Sequence, residues 1–143
     1  MQSKDPQKPL KYAYWNRLTG QLPSFEIYKD AVPIDVDGNY ILIRGEGHTS
    51  TELNNSAFFR SSVIIVEIVT KFATMANSSV AHDIADDIQY LILMDSNQPF
   101  TNSLADFTIT QITLQSEDEI YEDDGAEKIF RIVQRYENTL TQK

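Results

Sequence analysis

Two histidines, a pair of glycines, an acidic run and two sets of strand charges are the features of this chain whose types and spacing could do chemistry. His82 is followed by Asp83 and, one helical turn on, by Asp86. A His and an Asp on adjacent turns of a helix can share a metal ion. A metal needs three or four ligands, however, and no partner cluster stands near them in the sequence. A solvated helix face, with acids near the helix N-terminus, is therefore the expected role. His48 lies in Gly45-Glu46-Gly47-His48-Thr49-Ser50-Thr51, which brings serine, histidine and acid together. Local adjacency is not a hydrolase triad, which depends on spatial roles. The Gly-x-Ser-x-Gly elbow is missing. So are the third glycine of a dinucleotide fingerprint and the Lys-Ser/Thr of a P-loop. Residues 45–56 read as a long loop.

The acidic residues Glu117, Asp118, Glu119, Glu122, Asp123 and Asp124 fall in the segment 115–126. A calcium loop needs alternating oxygen ligands around a glycine and a glutamate further on, a spacing not met here. The segment reads as an acidic hairpin tip. It is either simply solvated, or a channel-facing or docking surface for a basic partner. Glu67 and Lys71 interrupt an apolar strand and share one of its faces, with Val63, Ile65 and Val69. Arg131 and Arg135 share a face of the last strand in the same way. Charges patterned on sheet faces suggest cross-strand pairs or a subunit interface. These seven residues are the candidate interface. No residue is assigned a catalytic, metal-binding or cofactor-binding role, and the chain is not expected to be an enzyme.

The elements that must position these residues follow from periodicity and turn chemistry. Residues 1–8 read as a flexible arm, and 9–143 as one α+β domain. Pro9 to Leu18 carries Leu10, Tyr14, Trp15 and Leu18 at helical spacing, with Gly20 as a stop. Strands are expected at 24–29, 40–44 and 61–72, with a loop over 31–39 around Pro33 and Asp37-Gly38. The strand 61–72 is apolar on both faces near its start, so it is central or is covered by a partner on its second face. Asn77 or Ser78 caps a long helix reaching Met94. Its stripe is Val80, Ile84, Ala85, Ile88, Leu91 and Ile92, with His82, Asp83, Asp86, Asp87 and Gln89 opposite. After a loop over 95–103, residues 105–114 form a strand whose apolar face switches between Ile109 and Ile112, which points to a bulge or a bend. A last strand over 127–138 pairs with it as a hairpin, and the final residues fray. Strands in runs with short connections predict a mostly antiparallel sheet, one long helix packed on a face, and an N-terminal helix.

The 143 residues carry a formal net charge of −9 and no cysteine. Disulfides and thiolate chemistry are thereby excluded. An acidic domain repels phosphate, which argues against tight nucleic-acid binding through its general surface. The apolar run Val63–Val66 is far too short to cross a bilayer, and the polar N-terminus lacks the apolar core of a signal peptide, so no membrane is expected.

In order and spacing, "LKYAYWNRL", "YILIRGEG", "SVIIVEIVTKF", "SSVAHDIADDIQYLI" and "DGAEKIFRIVQRYENTL" resemble the tail-terminator or tail-completion proteins of tailed bacteriophages, over roughly residues 9–140. At Asn39-Tyr40 the chain departs from the Pro-Tyr or Pro-Phe that often precedes the family's extended strand. The resemblance implies a non-enzymatic virion protein of the neck or tail end, made in the host cytoplasm. It implies a homo-oligomeric ring, a hexamer or alternatively a dodecamer, that joins tail to head among other neck, portal or tail proteins. DNA would pass through the ring without specific binding. A head–tail connector or stopper ring of a short-tailed phage and a small binding or adaptor module are the alternatives. The family supplies no catalytic residues and no cofactor.

Overall fold

The structure, a computed structural model, describes residues 5–33, 36, 38–54, 57–72, 78–93, 104–123 and 125–142. The order is α1 (Gln7–Gln21), β1 (Glu26–Lys29), β2 (Tyr40–Asn54), β3 (Ala57–Phe72), α2 (Ser78–Leu93), β4 (Phe107–Asp123) and β5 (Lys128–Gln142). The five strands form one sheet in the order β1-β2-β3-β5-β4. Only β1 runs parallel to its neighbour, so the sheet is mixed but mostly antiparallel. Among the described residues no helix is long and apolar enough to cross a membrane.

Both helices pack on the same face of the sheet. Leu10, Ala13, Tyr14 and Leu18 of α1 and Ala81, Ile84, Ala85, Ile88 and Ile92 of α2 share one core. That core is completed by Ile41, Ile43, Ile64, Val66, Ile68, Ile132, Tyr136 and Leu140 from the strands. Each fully buried Ile or Leu there contributes roughly 1.5–3 kcal/mol over an exposed one. The period of two along β3 and β5 sends alternate residues into this core and leaves the rest on a second face that neither helix covers.

The expected α+β class and the β4–β5 hairpin are both present. Of the bulge or bend expected between Ile109 and Ile112, the structure has a bulge, a register shift between Ile109 and Gln111. It lets Phe107, Ile109, Ile112 and Leu114 all pack toward the core although their spacing breaks alternation. Other expectations need correcting. The second helix is not long: at 16 residues it barely exceeds the 15 of α1. The first helix begins at Gln7 and runs through Gly20, so Gln7 and Lys8 are helical rather than part of an arm. In α2 it is Ala81 that is buried, while Val80 is exposed.

Residues 45–54 are strand rather than loop, paired with β3 from Gly45↔Ile64 to Asn54↔Ala57. The acidic residues through Asp123 are likewise strand, paired with β5 as far as Asp123↔Lys128. β5 does not fray at Asn138 but continues to Gln142, with Leu140 fully buried. Residues 1–4, Asn77, the 95–103 connection and Asp124 lie outside the described residues.

Candidate assembly surface

All seven residues of the candidate interface stand on the uncovered face. Register explains why. Residues directly opposite in a ladder share a face, and Ile65↔Arg135, Glu67↔Val133, Val69↔Arg131 and Lys71↔Ile129 are opposite pairs. Tyr40, Leu42 and Arg44 of β2 join them through Tyr40↔Val69, Leu42↔Glu67 and Arg44↔Ile65.

The floor of this face is apolar and dry although α1 and α2 both lie on the other side of the sheet. Ile65 is 1% exposed, Val69 0% and Val133 6%. None of the three belongs to the core cluster on the helix side. Charged side chains surround them, with their long aliphatic stems available to cover apolar surface. Arg131 Nη1 lies 2.8 Å from Glu67 Oε1, and its Nε lies 3.3 Å from Glu122 of β4. Arg44 approaches the other oxygen of Glu67 at 3.6 Å, and Arg135 pairs with Glu46. Burial alone would lower the pKa of Arg131, but Glu67 and Glu122 outweigh it, so the guanidinium is held charged more firmly than usual. Lys71 does not join Glu67. Its Nζ donates to the Val36 carbonyl at 2.8 Å and sits 5.6 Å from the Tyr40 ring centroid, while its backbone N–H donates to Asn39 Oδ1. The result is a lattice of ion pairs tying β2, β3, β5 and β4 together above an apolar floor.

Alternation along β4 divides the acidic residues between the two faces, and its second bulge, between Leu114 and Ser116, sets which of them face which side. Glu117 and Glu119 turn toward α2, while Asp118 and Glu122 share the open face with Val133 and Ile129. Glu119 Oε1 meets His82 Nε2 at 2.6 Å, so His82 ties α2 to β4 and does not turn to Asp86. Among the described residues no group of three or more His, Asp or Glu could hold a metal ion.

The glycine pair serves the backbone. Gly47 has φ +121°, a left-handed conformation that side chains resist, and lies at the register shift of β2. A Cβ on Gly45 would fall 1.7 Å from Gln7 Oε1. Without one, Gln7 reaches across to donate to the Gly47 carbonyl at 2.7 Å and to Ser62 Oγ. His48 lies in the β2 ladder opposite Ser62.

Sequence reasoning missed a line of buried polar groups on the covered face of β5. Asn138 accepts from the Tyr14 hydroxyl at 2.6 Å and donates to the Ser62 and Tyr136 carbonyls at 3.1 Å. Tyr136 donates to Gln134 Oε1 at 2.8 Å. Gln134 Nε2 in turn donates to the Ala85 carbonyl of α2 and to Glu117. This chain fixes both helices against one strand. Burial pushes the Tyr14 phenol well above its ordinary pKa, and burial together with the Glu117 charge does the same to Tyr136.

No protein-family model and no curated protein matches this sequence. The fold is similar to solved structures. A chain from the "virion of native gene transfer agent (GTA) particle" superposes with a TM-score of 0.58 over 91% of this chain and 94% of that one, at 11% identity. A second solved protein, of unstated function, gives a TM-score of 0.50 over 91% and 93%, at 13% identity. At such identities the likeness establishes a shared architecture across nearly the whole chain.

Proposed function

We propose that this chain is a non-enzymatic structural subunit of a tailed-phage-type virion, forming a ring at the neck or tail end through which DNA passes. The observation that carries this reading is the near-full-length likeness of fold to a chain of a gene transfer agent virion. The two-layer architecture supports it. A sheet whose second face carries a charged layer over a dry apolar floor offers a preformed contact surface at little ordering cost. On this reading the face of Val63, Ile65, Glu67, Val69, Lys71, Arg131 and Arg135 meets a neighbouring subunit or an adjoining neck, portal or tail protein. The acidic residues of β4 line the channel or dock a basic partner. A lumen that presents carboxylates makes no counterion-releasing contacts with phosphate, so DNA slides without being held.

Native mass spectrometry of the purified protein, paired with electron microscopy of the particle neck, tests the reading. A hexamer, or a monomer that becomes a sixfold ring in the particle, is the expected result. A twelvefold ring moves the subunit to the connector. A monomer absent from the particle overturns the reading, and a net basic lumen overturns the role given to β4.

A further inference from the structure

Helix α2 carries a groove on its surface, outside the stripe that it buries in the core. Asp86, Gln89, Tyr90 and Leu93, three and four residues apart and so on one side of the helix, line a volume of about 410 Å³ there. Tyr90, at 66%, is the most exposed large hydrophobic side chain among the described residues. Leu93 packs partly against the core and gives the groove an apolar wall. The groove opens broadly to solvent, whereas a small-molecule pocket encloses most of its ligand's surface. Side chains of another polypeptide fit such an open shape.

Charge identifies the polypeptide. The segments 78–93 and 104–123, which hold α2 and β4, contain nine of the chain's 21 Asp and Glu and none of its 12 Lys and Arg. The acids elsewhere are matched one for one by those Lys and Arg, so the net charge of −9 resides in these two segments. On β4, Glu119, Glu122 and Asp123 meet His82, Arg131 and Lys128. Among the described residues Asp83, Asp86 and Asp87 of α2 make no ion pair. Arg17, which α1 brings to α2, donates instead to the Leu91 carbonyl. Asp86 therefore stands in the groove with its charge unanswered, beside an exposed aromatic ring.

A second copy of this chain does not supply the missing cation. On the α1–β1 side Asp5, Glu26 and Asp30 stand against Lys8, Lys11 and Lys29, and Lys11 is held by Asp30 at 2.8 Å. On the open face Arg44, Arg131 and Arg135 already meet Glu67, Glu122 and Glu46.

We infer that the α2 groove docks a Lys- or Arg-rich segment of a different polypeptide. An arginine of that segment sets its guanidinium on Asp86 and its stem across the Tyr90 ring, and an apolar neighbour lies against Leu93. Asp83 and Asp87 raise the local attraction for a basic segment. Nucleic acid is repelled by the same carboxylates. The inference goes beyond the ring reading and does not depend on it, since α2 lies on the opposite side of the sheet from the face given to neighbouring subunits.

Fluorescence anisotropy of a labelled peptide of alternating Arg and Leu, titrated with the full chain, tests this. The parent should bind it and should not bind the same peptide with Glu in place of Arg. Asp83→Asn with Asp86→Asn should weaken binding roughly tenfold. Tyr90→Ala, which leaves the net charge unchanged, should weaken it about threefold. Glu26→Gln with Asp118→Asn removes as much charge from other surfaces and should leave binding within about twofold. All these side chains are exposed, and circular dichroism checks that each variant folds. A parent that does not bind, a Tyr90→Ala variant that binds like the parent, or a Glu26–Asp118 variant as weak as the groove variant overturns the inference. Sedimentation of the parent and of Tyr90→Ala tests the other occupant. Oligomers unchanged by Tyr90→Ala are expected, and self-association that it abolishes would put a second copy in the groove and overturn the choice of a different polypeptide.

Discussion

The two faces of β3 and β5 carry polar groups in opposite ways. Under the helices, Ser62, Thr70, Gln134 and Asn138 are buried and uncharged, and each makes a hydrogen bond. On the open face the polar groups are ionised, partly exposed and paired, as in Glu67 with Arg131 and Arg135 with Glu46. The contrast follows from desolvation. A neutral amide or hydroxyl can be taken out of water at small net cost if its bonds are remade, whereas a charge cannot. Full burial therefore selects amides and phenols, and charges gather where solvent still reaches. Two separate tasks result. The neutral line along β5 sets where both helices sit, and the ionic lattice holds the strands' outer surface in one shape.

The largest effect that tests this contrast is expected at Asn138. Asn138→Ala removes the acceptor of the buried Tyr14 hydroxyl and a donor to the Ser62 carbonyl. Losing these buried hydrogen bonds should lower unfolding stability by about 2–3 kcal/mol, measured by urea denaturation. In that background Tyr14→Phe should cost much less than it does in the parent chain, since the two share one bond. A loss no greater than that of an exposed substitution would mean that the buried line does not hold the helices.

A smaller effect is expected on the open face. Glu67→Gln and Arg131→Met should each lower stability by only about 0.5–1 kcal/mol, with a double-mutant coupling no larger, because solvent reaches both groups and Arg44 and Glu122 remain as neighbours. If the cycle instead returns a coupling as large as the loss at Asn138, the open face is as integral to folding as the covered one. It would then be a poor candidate for a surface kept for partners.

What could be read in the sequence divides along the same line. Seven of the residues that stand on the open face could be grouped from the sequence because period two and strong β-formers mark Ile65, Val69 and their neighbours whatever the register, whereas Tyr40, Leu42, Arg44 and Val133 join them only through strand pairing. The bulge at Ile109–Gln111 showed as a switch of apolar face. The strand character of 45–54 and 115–123 did not show. Gly45, Gly47 and the Glu-Asp run are poor strand formers, and their pairing with β3 and β5 is a tertiary choice that overrides propensity. The buried polar line was hidden for a different reason. Gln134 and Asn138 look like solvent-side residues in any alternating pattern, and only the placement of Tyr14 and Ala85 across the chain reveals them as core.

The smallest effect belongs to the β4–β5 turn, where the paired charges stand at the end of the sheet with solvent beside them. Asp123 faces Lys128 across the last rung of the hairpin, Oδ2 to Nζ 2.6 Å, and accepts the Gly125 N–H at 2.9 Å. The Lys128 hydrogen bond, then the Gly125 amide, hold its carboxyl below the ordinary value of 3.8. A carboxylate with a depressed folded-state pKa stabilises the fold above its unfolded value and loses that contribution as pH falls through the folded one. An NMR titration should therefore find Asp123 ionising below the free residue, and Lys128→Ala should raise it most of the way back with little change in overall stability. Were Asp123 to titrate unchanged in that variant, the amide of Gly125 would be the group that holds it. The ion pair would then be incidental to the turn, and the open face would remain the place where this chain uses charge to fix structure.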